Sequence, residues 1–197
     1  TPAMEGNTVV VHVHNGAVMA FSASTGKKIW SYQPMQPEIL LNGDSTPTIV
    51  NNQVVVGLHN GTLVSLSLAT GHEMWATPVA LPVGSSSVAR MVDIVAAPLV
   101  DEAHGVVYAA TYQGRLAAMT LGTGRVLWSI PMSVAEDMDL HDNTLYLTTV
   151  SGDVEGVDAE TGRVQFVQKA LAYRGVTAPL WLDGMVVVSD AQGYVHF

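Results

Sequence analysis

The chain has 197 residues, with 17 Asp and Glu against 8 Lys and Arg, a net charge of −9, 48% hydrophobic residues and no cysteine. Disulfides and thiolate metal sites are therefore excluded, and so few scattered cations argue against a nucleic-acid partner. No uninterrupted apolar run approaches the ~20 residues that a helix needs to cross a bilayer.

In chain order, a strand led by Thr1 and Pro2 comes first, then a Val-rich strand through Val9 to Val13. A hairpin signal follows at Asn15-Gly16, then a turn at Thr25-Gly26, then a strand carrying Trp30. The same order returns from Thr46 and Pro47, through Val54 to Val56, Asn60-Gly61, the alternating run Leu63 to Leu68, and Thr70-Gly71 with Trp75. It returns again from Ala97 and Pro98, through Val106 to Tyr108, Gln113-Gly114 and Thr123-Gly124 with Trp128. A fourth copy holds Ser151-Gly152 and Thr161-Gly162 with Phe166, and a fifth opens at Ala178 and Pro179 and reaches Gln192-Gly193. The aromatic always stands five residues after the Thr, and successive Thr residues are 45, 53 and 38 positions apart. Short β-branched strands repeating at about 40 to 50 residues are the blades of a β-propeller. The fold class predicted is all-β, a propeller of four-stranded blades over residues 1–40, 45–85, 95–133 and 134–172, with a partial blade over 176–197.

Each turn type has a physical reason. Asn-Gly pairs suit tight type I′ hairpins, whose two central residues both need positive φ. The Gly of each Thr-Gly is expected to supply a left-handed turn residue. Trp30, Trp75, Trp128 and Phe166 are read as structural rings wedged between neighbouring blades, each burying area worth roughly 1.5–3 kcal/mol. Trp181 stands outside the pattern. About four and a half blades do not close a ring, so the chain is expected to belong to a larger propeller, with terminal blade faces covered by another chain such as a second copy.

Chemistry-bearing constellations are sparse. His12 and His14 alternate onto one strand face, but no third ligand is spaced to join them. The acidic stretch Glu136 to Asp142 lacks the oxygens and turn Gly of a calcium loop and is expected to be a solvated connection between blades. Asp153, Glu155 and Asp158 alternate like the polar face of a strand. No nucleophile elbow or phosphate-cradling loop appears, and neither a metal nor a cofactor is predicted.

The blade signature of Ala, Thr-Gly and Trp resembles the quinoprotein-type repeat. Two inter-blade runs are more specific: Ile39 to Pro47 and Arg90 to Pro98 are similar to the corresponding loops of the BamB family, the propeller lipoproteins of the outer-membrane β-barrel assembly machinery. That resemblance implies an eight-bladed, non-enzymatic propeller, lipid-anchored at the periplasmic face of the outer membrane. It implies docking on a periplasmic POTRA domain of BamA and, by extension, contact with unfolded outer-membrane proteins. The docking residues it implies are Ile39, Leu41, Asn42, Asp93 and Val95. Asn42 stands where the family has Arg, and Val95 where it has a second Asp, which puts the charged part of the contact in question. Three aliphatics at Ile39 to Leu41 read independently as an exposed apolar patch or as a plug of the propeller's end. Asp93 reads as a polar contact or as a cap of its own turn, and Arg90 as an interface anchor or a solvated cation. Two alternatives stay open: a quinone-cofactor dehydrogenase, and a sensor or carbohydrate-binding propeller.

Overall fold

The computed structural model describes residues 1–34, 45–82 and 92–197. Within them the chain forms four four-stranded antiparallel sheets and one three-stranded sheet, with no helix among the described residues. Blade 1 comprises β1 (Ala3–Glu5), β2 (Thr8–His12), β3 (Val18–Ser22) and β4 (Lys28–Tyr32). Blade 2 comprises β5 (Thr48–Val50), β6 (Gln53–Gly57), β7 (Thr62–Ser67) and β8 (Glu73–Pro78). Blade 3 comprises β9 (Leu99–Asp101), β10 (Val106–Ala110), β11 (Gly114–Thr120) and β12 (Val126–Met132). Blade 4 comprises β13 (Asp139–His141), β14 (Thr144–Thr148), β15 (Val154–Asp158) and β16 (Val164–Gln168). Blade 5 holds β17 (Leu180–Leu182), β18 (Met185–Ser189) and β19 (Val195–His196). Within each blade every strand pairs with its successor in the chain, so each blade is an up-and-down meander.

The second and third strands of blades 1 to 4 are the more buried ones: β6, β7, β10, β11 and β14 read as nearly continuous Val, Leu and Ala runs because both of their faces pack against neighbouring blades. The outer strand is different. A register shift falls in the pairing of β4, β8, β12 and β16 with the strand before each. Such an irregularity bends and twists the outer strand, and the first three aromatics reach the following blade.

Those rings behave as blade locks. Trp30 Nε1 donates to the Leu68 carbonyl at 2.8 Å, Trp75 Nε1 to Leu121 at 2.9 Å and Trp128 Nε1 to Ala159 at 2.9 Å. The glycine of the next Thr-Gly turn lies directly beneath each ring. A Cβ on Gly71, Gly124 or Gly162 would stand 2.6, 2.5 or 2.6 Å from Trp30, Trp75 or Trp128. Those glycines also hold φ between +67° and +73°, so close approach and backbone conformation both require Gly.

The hairpin chemistry differs from expectation. At Gly16, Gly61, Gly152 and Gly193 the glycine N–H bonds the carbonyl three residues back, and only that glycine has positive φ. This is a three-residue loop with a left-handed closing glycine rather than a type I′ turn. In blade 3 Gln113 takes the left-handed conformation in place of Gly114. True paired positive-φ turns lie one strand earlier, at Asn51-Asn52, Asp142-Asn143 and Asp183-Gly184. The acidic stretch is also only partly a loop: Met138 is buried and Asp139 to His141 form β13. Its inward carboxylate is used, because Asp139 Oδ2 accepts the Trp181 N–H at 2.7 Å. Trp181 thereby gains an explanation. It stacks on Tyr146 and His141, with ring centroids 5.2 and 4.7 Å away, and knits the inner edges of blades 4 and 5 together.

Candidate partner-docking face

The hairpins joining second to third strands and the connections between successive blades emerge at the same end of the sheets. The two runs singled out by sequence leave from this end, between blades 1 and 2 and between blades 2 and 3. Ile39, Leu41, Asn42 and Arg90 lie outside the described residues. Asp93 and Val95 are described, together with Ser45, at the base of the first run.

The two bases are joined. Ser45 is fully buried, and its hydroxyl donates to the Ala96 carbonyl at 2.9 Å while accepting the Gly57 N–H at 3.3 Å. Thr48 Oγ1 donates to the Pro98 carbonyl at 2.7 Å, a second link between the same segments. Ile94 is fully buried over Gly57, where any side chain would collide with it. The Ile94 N–H reaches the Leu58 carbonyl at 3.2 Å, and the Asp93 carbonyl accepts the Tyr112 N–H at 2.9 Å. The second base is thus stitched to the hairpins of blades 2 and 3, and through Ser45 to the first.

Asp93 is placed otherwise than a rim contact requires. It is 1% exposed, and its Oδ2 stands 3.4 Å from His59 Nδ1. Packing of the neighbouring Val92 and Ile94, both buried, draws the short carboxylate inward between them. Its direct reach is inside the protein, where it positions the base of the run that leads to Arg90. Val95 is half-buried. His59, which the sequence reading did not single out, lies beside His12 and His14, with ring centroids 5.5 and 6.2 Å apart. His12 is buried at the end of β2, with Nδ1 3.1 Å from the Ser45 carbonyl, whereas His14 is exposed in the hairpin. They do not share one strand face, and among the described residues no group of three or more His, Asp or Glu is arranged to hold a metal ion. The blade repeat itself could have revealed His59, since it occupies the same hairpin position in blade 2 as His14 in blade 1.

Blade meanders of this order, locked by a ring on the next blade's Thr-Gly turn, define a propeller of quinoprotein-like repeats. A family model described as outer membrane protein assembly factor BamB matches residues 1–168 and again 122–196, and the chain belongs to that family. It is 34% identical over 196 residues to the outer membrane protein assembly factor BamB of Vibrio cholerae serotype O1, covering all of this chain and half of that protein. The crystal structure of BamB from Moraxella catarrhalis superposes with a TM-score of 0.93 at 27% identity, over 99% of this chain and 59% of that one. A quinohemoprotein alcohol dehydrogenase from Comamonas testosteroni superposes with a TM-score of 0.74 at 18% identity, over 97% of this chain and 39% of that one, which is a likeness of fold alone. The chain spans about half the length of the Vibrio relative.

Proposed function

We propose that this chain serves as a non-enzymatic scaffold in outer-membrane protein assembly, at the periplasmic face of the outer membrane. Its docking segments are the runs containing Ile39, Leu41 and Asn42 and containing Arg90 and Val95, and its partner is a periplasmic POTRA domain of BamA. The observation that carries this reading is the shared base: Ser45 and Ala96 fasten the roots of the two runs to each other. A rigidly rooted pair of loops lowers the ordering cost of binding. Family membership and the name of the Vibrio relative supply the biological setting. In this reading Ile39 and Leu41 are the apolar anchors, Asn42 and Arg90 supply polar contacts, and Asp93 acts indirectly by holding the second run in place.

The test is titration of the protein and its Ile39→Asp, Leu41→Asp double variant against the periplasmic domains of BamA. Loss of a central anchor costs more than about 2 kcal/mol, so binding should weaken at least ~30-fold while the fold is retained. Undiminished binding by the double variant places the docking surface elsewhere.

A further inference from the structure

A second feature of the same end lies between blades 4 and 5 and stands independently of the reading above. The turn through Lys169 to Gly175 is pinned to the hairpins of blades 4 and 5: the Tyr173 N–H donates to the Ser151 carbonyl at 2.8 Å, and the Ala191 N–H of blade 5 donates to the Arg174 carbonyl at 3.0 Å. At its apex Tyr173 is 90% exposed and holds φ at +61°. A bulky residue in the left-handed region is strained, and such strain persists where the surroundings impose it, typically at sites that bind. Nothing in the packing needs this ring, since it is almost wholly in solvent.

Beside it is a pocket of about 260 Å³, lined among others by Glu136, Val150, Gly152, Tyr173 and Val176. Val150 is 47% exposed at the hairpin tip, and Val176 is buried. The charge in the wall is Glu136. Burial, followed by repulsion from Asp137, pushes its carboxyl above the usual range. No ion pair among the described residues involves Glu136. The nearby Arg174 is committed elsewhere, with Nη2 2.7 Å and Nε 2.8 Å from Asp190 Oδ2, and Asp137 is held by the Ala97 N–H at 2.6 Å. An acid in a pocket lined also by Val150, Val176 and the hydroxyl residues Thr149, Ser151 and Thr177, next to a presented aromatic ring, is complementary to a guanidinium, which pairs with carboxylates and stacks on rings.

We propose that this pocket receives an arginine side chain from a protein partner, with Glu136 as counter-ion and Tyr173 as the aromatic wall. The probe is the blocked tripeptide acetyl-Gly-Arg-Gly-amide, titrated into the full chain and followed by the amide resonances of Ser151, Gly152 and Tyr173. Saturable shifts are expected, with the citrulline tripeptide, a neutral isostere, about 10-fold weaker or worse. Glu136→Gln and Tyr173→Ala should each weaken binding at least ~3-fold. Tyr173→Gly adds a distinguishing readout: it relieves the left-handed strain, so thermal stability should rise while arginine binding falls. Equal shifts with citrulline, shifts that map to other residues, or full binding by Tyr173→Gly would each overturn the assignment.

Discussion

At the junctions between blades 1 and 2, 2 and 3, and 3 and 4 an outer Trp meets the Thr-Gly turn of the following blade, whereas the three strands of blade 5 in this chain carry no such turn for Phe166 to meet. In each of the first three, a Trp ring roofs a glycine and its N–H finds a carbonyl of the next blade. In the fourth, buried packing shrinks to Val154, Val176 and Val188, and Phe166 is 41% exposed. Phe166 folds back over Gly156 of its own blade, where any side chain would collide with it. The inner edge stays knit through Trp181, Asp139 and the bond from Thr148 Oγ1 to the Thr177 carbonyl at 2.9 Å. Each of the three locks combines an indole N–H with a turn that supplies both a carbonyl and a bare glycine, and Phe166 brings a ring without that N–H.

The largest effect should come from removing a lock outright. Trp75 is 8% exposed, and Trp75→Ala leaves a cavity expected to cost roughly 3–5 kcal/mol. Phe166→Ala should cost less than about 2 kcal/mol, because much of its area is already in water. Denaturation midpoints of the two variants measure the difference directly. Equal losses would break the comparison.

A smaller effect should follow from filling the space under a lock. Gly124→Ala puts a methyl against the Trp75 ring and a Cβ on a residue at φ +67°. Together these should cost about 1–3 kcal/mol. Gly105, whose Cβ would meet nothing within 4 Å, isolates the backbone part: Gly105→Ala at φ +64° should cost only about 1 kcal/mol. Trp75→Phe sharpens the point further. It keeps most of the ring but strands the Leu121 carbonyl, which should cost about 1–3 kcal/mol through the lost bond.

Much of the fold was legible because its signals are local and repeated. The Thr-Gly turns, the alternating strands and the outer Trp residues each appear with one spacing, and the left-handed glycines follow from turn chemistry alone. The type of hairpin was misread because Asn15-Gly16 looks the same in a two-residue and a three-residue loop, and only the bonds beyond the dipeptide decide between them. The site was less legible. Asp93 reads as polar and therefore outward, but its flanks Val92 and Ile94 both seek the core, and two buried neighbours carry the residue between them inward. Trp181 and His59 depend on contacts between blades, which no single repeat encodes. Tyr173 carries no sequence signal at all, since its exposure and positive φ come from the way its turn is pinned to the blade 4 hairpin.

The junction between blades 4 and 5 also contains a polar network around Asp190, and its pH dependence gives the finest test of how blade 5 is held. Asp190 is buried at the start of the last hairpin. Burial alone pushes its carboxyl up, but the hydrogen bond from His196, the N–H groups of Tyr194 and Gln192, and the Arg174 charge outweigh this and hold it down at about 2. An unfolded Asp titrates near ~3.9. The folded value is the lower one, so the contribution of ionised Asp190 is fully present above ~4 and is lost as pH falls through about 2. Asp190→Asn keeps an acceptor for the two amides but gives Arg174 no charge. Hydrogen exchange at Gln192 and Tyr194, whose N–H groups donate to Asp190 Oδ1 at 3.0 and 3.1 Å, should therefore be slower in the native protein than in the variant above pH 4. The two should converge as pH approaches 2. A gap that persists to pH 2 would mean that shape rather than charge holds the hairpin, and no gap at pH 5 would mean that Arg174 and His196 contribute nothing to seating blade 5 against blade 4.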